Sequence, residues 1–132
     1  MKSFILDASI ALEWFSADAT PEALARRSLL DDHVALVPTL WRFEVMNAVT
    51  TWLRRGDISS ATSAMILNDI MRVPFGTLDE GDPELIVFLG VTHSLSAYDA
   101  TYLHLAMVTG DALATLDGAL ITAAKKVGVD CL

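Results

Sequence analysis

Asp7, Glu44, Asp99 and Asp117 are the residues whose type and placement suggest chemistry. Asp7 ends the apolar run FIL, and Ser9 follows two residues later. Asp117 comes two residues after the run ALAT, with Thr115 beside it. In an open parallel sheet, ligands bind beyond the carboxyl ends of the strands, so two acids that each follow a strand would converge on one cleft. Glu44 lies at the edge of the helical stripe Trp41, Val45, Ala48/Val49 and Trp52, with Asn47 one turn on and on the same face. Arg42 is two residues away and does not face it on a helix.

Each acid also has a purely structural reading. Asp7 and Asp117 can serve as helix N-caps, and Asp117-Gly118 as turn chemistry. Ser96-Ala97-Tyr98-Asp99 matches a capping-box variant. Asp79 also follows a candidate strand, but its neighbours Glu80, Gly81 and Asp82 mark a solvated loop.

Taken together, the acids point to a cation. Like charges about 4 Å apart repel by about 4 kcal/mol at an effective dielectric of 20, so gathered carboxylates need protons or a metal ion to coexist. An all-oxygen set suits Mg²⁺ or Mn²⁺ better than Zn²⁺. His33, His93 and His104 are scattered and read as surface or satisfied core histidines. Cys131 is the only cysteine, so neither an intrachain disulfide nor a thiolate metal site can form, which fits a reducing cytoplasm.

The elements that must position these acids alternate. Short apolar strands are expected at 3–6, 34–37, 72–78, 112–115 and 127–131, the third weakened by a Pro and a Gly and therefore near an edge. Helical periodicity covers 21–30, 39–54, 59–71, 83–93, 97–108 and 118–126, with Gly110 and Gly128 as C-caps. Strands alternating with helices predict an α/β/α three-layer sandwich around a parallel sheet of about five strands. With 132 residues and no linker or repeat, one domain over 1–132 is expected.

Composition narrows the function classes. The chain is 53% apolar and carries 9 basic against 17 acidic residues, a net charge of -8. That excludes coating nucleic acid by bulk electrostatics, although Arg26/Arg27, Arg54/Arg55 and Lys125/Lys126 are material for a local rim. Asp7 and Glu13 interrupt the N-terminal apolar stretch, and no segment of 18 residues is apolar without a charge, so neither export nor membrane spanning is expected.

The motif order resembles the PIN-domain ribonucleases, specifically the VapC family of toxins from VapBC toxin-antitoxin pairs. The resemblance rests on LDAS at 6–9, ALVPTLWRFEVMNAV at 35–49, SAYDATYLHLA at 96–106 and LATLDGALITAAKKVGV at 113–129, covering nearly the whole chain. It implies a PIN-like sandwich and an acidic site of Asp7, Glu44, Asp99 and Asp117 that binds one or two Mg²⁺ or Mn²⁺ ions and hydrolyses RNA. Asp7 and Asp99 would be the leading ligands, Asp117 a further or water-mediated one, and Glu44 a ligand or water-orienting group. Ser9, Asn47 and Thr115 would support them. A homodimer and a cognate antitoxin that occludes the cleft are also implied. Gly118 departs from the basic or polar residue common after the last acid in such toxins, removing one phosphate contact.

Other readings fit less of the chain. A haloacid-dehalogenase-type phosphotransferase would want Asp in place of Ser9, a receiver domain would want a Lys between Asp117 and Lys125, and dinucleotide binding would want a Gly-rich turn after the first strand. A PIN-like nuclease of general RNA processing and a PIN-like interaction module without catalysis remain alternatives.

Overall fold

The computed structural model describes residues 2–15 and 19–132. Its central strand β1, Lys2–Leu6, buries Phe4, Ile5 and Leu6 in succession. Consecutive rather than alternating burial means that both faces of the strand are covered. β1 pairs in parallel with β2, His33–Pro38, on one side and with β4, Ala112–Ala114, on the other, placing Leu6 opposite Ala114. β3, Phe75–Leu78, lies beyond β2, giving the all-parallel order β3-β2-β1-β4. It is an edge strand, as the Pro and Gly of 72–78 predict, and it begins only after Pro74 rather than at residue 72.

The helices follow from the direction in which the chain steps across the sheet. From β1 to β2 it runs through α1 (Ala8–Trp14) and α2 (Pro21–Arg27), and from β2 to β3 through α3 (Leu40–Arg55) and α4 (Ser60–Met71). It then returns to β4 through α5 (Pro83–His93) and α6 (Ala97–Thr109) and ends with α7 (Gly118–Val127). Right-handed connections put helices on opposite faces when the step direction reverses, so α1–α4 cover one face and α5–α7 the other. The contacts agree: α6 packs on β1, β2 and β4 and against α5 and α7. Residues 100–106 of α6 are buried without interruption, making it the central helix of its layer.

Local chemistry sets the helix ends. Thr20, Ser59, Asp82, Ser96 and Asp117 each cap a helix through a side-chain oxygen. Gly110 and Gly128 close α6 and α7 at φ of 73° and 78°, a left-handed conformation that only glycine adopts without strain.

Three elements depart from the sequence reading. α1 was not among the expected helices, because seven residues are under two turns and too few for periodicity to register. The helix expected over 21–30 stops at Arg27 and tightens into a 3-10 turn over Ser28–Asp31. The fifth strand is a single bridge, Leu113 to Cys131, so among the described residues the sheet has four strands. Val127 belongs to α7 and Gly128 caps it, leaving only Leu113 N–H to Asp130 O at 2.8 Å and Leu132 N–H to Leu113 O at 3.0 Å.

Trp14 and Trp41 are core residues and Trp52 is half-buried against the core. Among the described residues no helix is long and apolar enough to cross a membrane.

Candidate active site

The strand order reverses between β1 and β4, and the crevice beyond their carboxyl ends is where an open α/β sheet binds ligands. Asp7 stands there, its backbone N–H bonded to Ala114 O at 3.0 Å, as the N-cap of α1. Its carboxylate is buried. Thr115 Oγ1 donates to Asp7 Oδ2 at 2.6 Å and Ser9 Oγ donates to the same oxygen at 3.0 Å. Each hydroxyl also accepts a backbone N–H from the segment after β4: Thr115 Oγ1 from Asp117 at 3.1 Å within its own turn, and Ser9 Oγ from Leu116 at 3.3 Å across the cleft. Asp117 then caps α7, accepting Leu120 N–H at 3.1 Å.

The remaining acids arrive from the two helical layers. Glu44 projects from α3, and Tyr102, fully buried on α6, donates its hydroxyl proton to Glu44 Oε1. Asp99 lies in the first turn of α6, whose N-cap Ser96 accepts its N–H at 3.1 Å. Asp7, Glu44, Asp99 and Asp117, together with Ser9 and Asn47, line one cavity of about 290 Å³. Thr115 stands behind that wall, bonded to Asp7. Capping and cavity lining are therefore not alternatives here, since the first turns of α1, α6 and α7 face the same space.

The acids feel one another. Burial raises the Asp7 carboxyl above the usual carboxylate range, and the Asp117 charge adds to it, against the lowering effect of the Thr115 and Ser9 bonds. Asp99 is raised by burial and by the charges of Asp117 and Asp7. Glu44 is pushed up to about 6 by burial, with Asp7 and Asp99 acting in the same direction and the Tyr102 bond opposing them. The Tyr102 hydroxyl is held well above its ordinary value by burial and by Glu44, so it remains a donor. Among the described residues no group of three His, Cys, Asp or Glu side chains is gathered closely enough to hold a metal ion in this arrangement. Glu44 is bonded to Tyr102 and Asp117 to Leu120 N–H, each on the wall of the cavity.

A family model for the PIN domain matches residues 4–126. The chain belongs to the PIN domain family. Three solved structures share the fold of this PIN domain. PAE2754 from Pyrobaculum aerophilum superposes with a TM-score of 0.74 at 21% identity, over 92% of this chain and 84% of its own. VapBC2 from Rickettsia felis, bound to a DNA fragment from its promoter, gives 0.68 at 10% identity, over 98% and 97%. A toxin-antitoxin complex from Klebsiella pneumoniae gives 0.58 at 19% identity, over 89% of each chain. No curated protein sequence matches.

Three residues of this PIN domain were not singled out from the sequence. Tyr102 was readable in principle, because a tyrosine in the buried run Ala100–Ala106 needs a partner for its hydroxyl. Phe43 and Tyr98 stand immediately before Glu44 and Asp99 and are 69% and 64% exposed beside the cavity. The histidines stand apart: His104 is buried, accepting Asp82 N–H at 3.2 Å, and His33 pairs with Asp32 at 2.5 Å.

Proposed function

We propose that this PIN domain, spanning 1–132, is a metal-dependent endoribonuclease acting in the cytoplasm as the toxin of a toxin-antitoxin pair and inhibited by a cognate antitoxin. The observation that carries the reading is the convergence of four carboxylates, from four separate elements, on one cavity. Burial first, and the charges of the neighbouring acids second, raise three of these carboxyl groups, so protons or a cation would relieve them.

The donor chemistry fits Mg²⁺ or Mn²⁺, because all the groups offered are hard oxygens with no thiolate or imidazole among them. Asp7 and Asp99 would be direct ligands, Asp117 a further or water-mediated one, and Glu44 a ligand or water-orienting group. Such an ion supplies a more acidic water and charge compensation at a phosphodiester. The chain's own residues do the positioning. Thr115 and Ser9 fix the Asp7 carboxylate. Tyr102 engages Glu44 Oε1, leaving Oε2 outside that bond to take a proton from, or orient, an attacking water.

The likeness to VapBC2 and to the Klebsiella complex supports an antitoxin partner. Exposed Leu85, Val87, Phe88 and Val91 on α5 support homodimer formation. In a second reading, an interaction module without catalysis, Asp7 and Asp117 would serve only as the N-caps of α1 and α7.

The test uses purified protein, free of antitoxin, with total RNA and Mg²⁺ or Mn²⁺, beside an EDTA control and the folded variants Asp7→Asn and Asp99→Asn. Metal-dependent cleavage lost in both variants is expected. No cleavage and no metal-induced rise in melting temperature would favour the interaction module.

A further inference from the structure

A second recess adjoins the acidic cavity. Leu40, Phe43, Glu44 and Asn47 of α3 and Tyr98 of α6 enclose about 300 Å³, and Glu44 and Asn47 belong to the walls of both spaces. Its two aromatic rings are the most exposed on α3 and α6. Successive residues on a helix point about 100° apart, so an acid aimed into the cavity sets the aromatic before it on the rim. That relation holds twice, at Phe43-Glu44 and at Tyr98-Asp99.

We propose that this recess is a subsite for one unpaired nucleobase of the RNA, next to the phosphodiester presented to the acids. The inference rests on the nuclease reading above. With a net charge of -8, the chain as a whole does not attract phosphates by bulk electrostatics, which gives weight to contacts that do not depend on charge. Base stacking on exposed aromatics is such a contact, and it tolerates sequence because every base has a π-face. The Asn47 amide offers both donors and an acceptor to a base edge. A nucleotide whose phosphodiester lies at the acidic cavity carries its base only a few bonds away, and the shared wall puts the recess within that reach.

The test is binding of a single-stranded RNA decamer carrying 2-aminopurine at successive positions, with Ca²⁺ present and strand integrity checked on a gel. Full-length wild type is compared with Phe43→Leu and Tyr98→Leu, and cleavage by each is followed in Mg²⁺. Both rings are exposed, so melting temperatures should be unchanged. The expected result is quenching at one position of the strand, lost in either variant, with binding about tenfold weaker per ring. Variants that cleave, bind and quench like wild type would overturn the subsite and leave the nuclease intact. Variants with normal RNA affinity that no longer retain a co-expressed antitoxin would also overturn it, assigning the recess to the protein partner. Wild type that neither binds nor cuts the strand would remove the nuclease reading and the subsite with it.

Discussion

Thr115 Oγ1 donates to Asp7 Oδ2 across 2.6 Å, joining the ends of two adjacent parallel strands through one hydroxyl. The same oxygen accepts Asp117 N–H at 3.1 Å, so a single threonine sets two of the four acids. Thr115→Val keeps the shape and removes both bonds. It should cost about 1–3 kcal/mol in urea unfolding at neutral pH, because a buried carboxylate loses its shortest partner. Thr115→Ser should recover most of that. An unchanged unfolding midpoint in the valine variant would show that the hydroxyl does not hold Asp7.

Asp7→Asn separates stability from chemistry. Burial already disfavours the ionised carboxyl, so a neutral side chain of the same shape should leave the metal-free melting temperature unchanged or higher. Cleavage should fall by at least about a hundredfold, and the melting shift with Mg²⁺ or Mn²⁺ should disappear. A variant that keeps metal-dependent cleavage would move the centre of the site away from Asp7.

Tyr102→Phe deletes one hydroxyl from a fully buried ring and frees Glu44 Oε1. Loss of this bond should cost about 1 kcal/mol of stability. Metal affinity by calorimetry should weaken by about tenfold, the usual scale for a residue that orients a ligand. Wild-type metal affinity in a stable Tyr102→Phe protein would limit the tyrosine to packing.

The raised acids set a pH dependence of stability whose sign follows from proton binding. Glu44 moves from 4.5 in the unfolded chain to about 6 in the fold, so the folded state binds its proton more tightly. Its contribution to stability is fully present below pH 4.5 and is lost as pH rises through about 6. Asp7 and Asp99 act with the same sign. The difference in melting temperature between wild type and Glu44→Gln should therefore change across pH 4.5–6, with wild type losing ground as pH rises. At pH 7.5, Mg²⁺ should restore stability to wild type and less to the variant. A pH-independent difference would mean that Glu44 titrates alike folded and unfolded.

Much of the frame was legible because it depends on local pattern. The strand around Phe4–Leu6, the long stripe of α3 and the glycine stops of α6 and α7 follow from burial periodicity and backbone preference over a few residues. The same local signals left the acids ambiguous, since Asp7 and Asp117 really do cap helices. Where pattern was too short, it failed: α1 has seven residues, and the last apolar stretch was divided between the end of α7, its glycine cap and one bridge at Cys131.

The sequence by itself determined the alternation of strands and helices, the acids at the ends of apolar runs and the all-oxygen character of the donors, because each is a property of neighbouring residues. Only the tertiary structure decided that β1 lies between β2 and β4, which brings Asp7 to Thr115 across 108 positions of chain. It also decided that Tyr102 meets Glu44 across 58 positions and that Phe43 and Tyr98 share one recess. Strand order comes from non-local pairing and right-handed crossovers, and burial and field are properties of space. The raised carboxyl groups of Asp7, Glu44 and Asp99 therefore exist only once folding has buried these acids and set them beside one another.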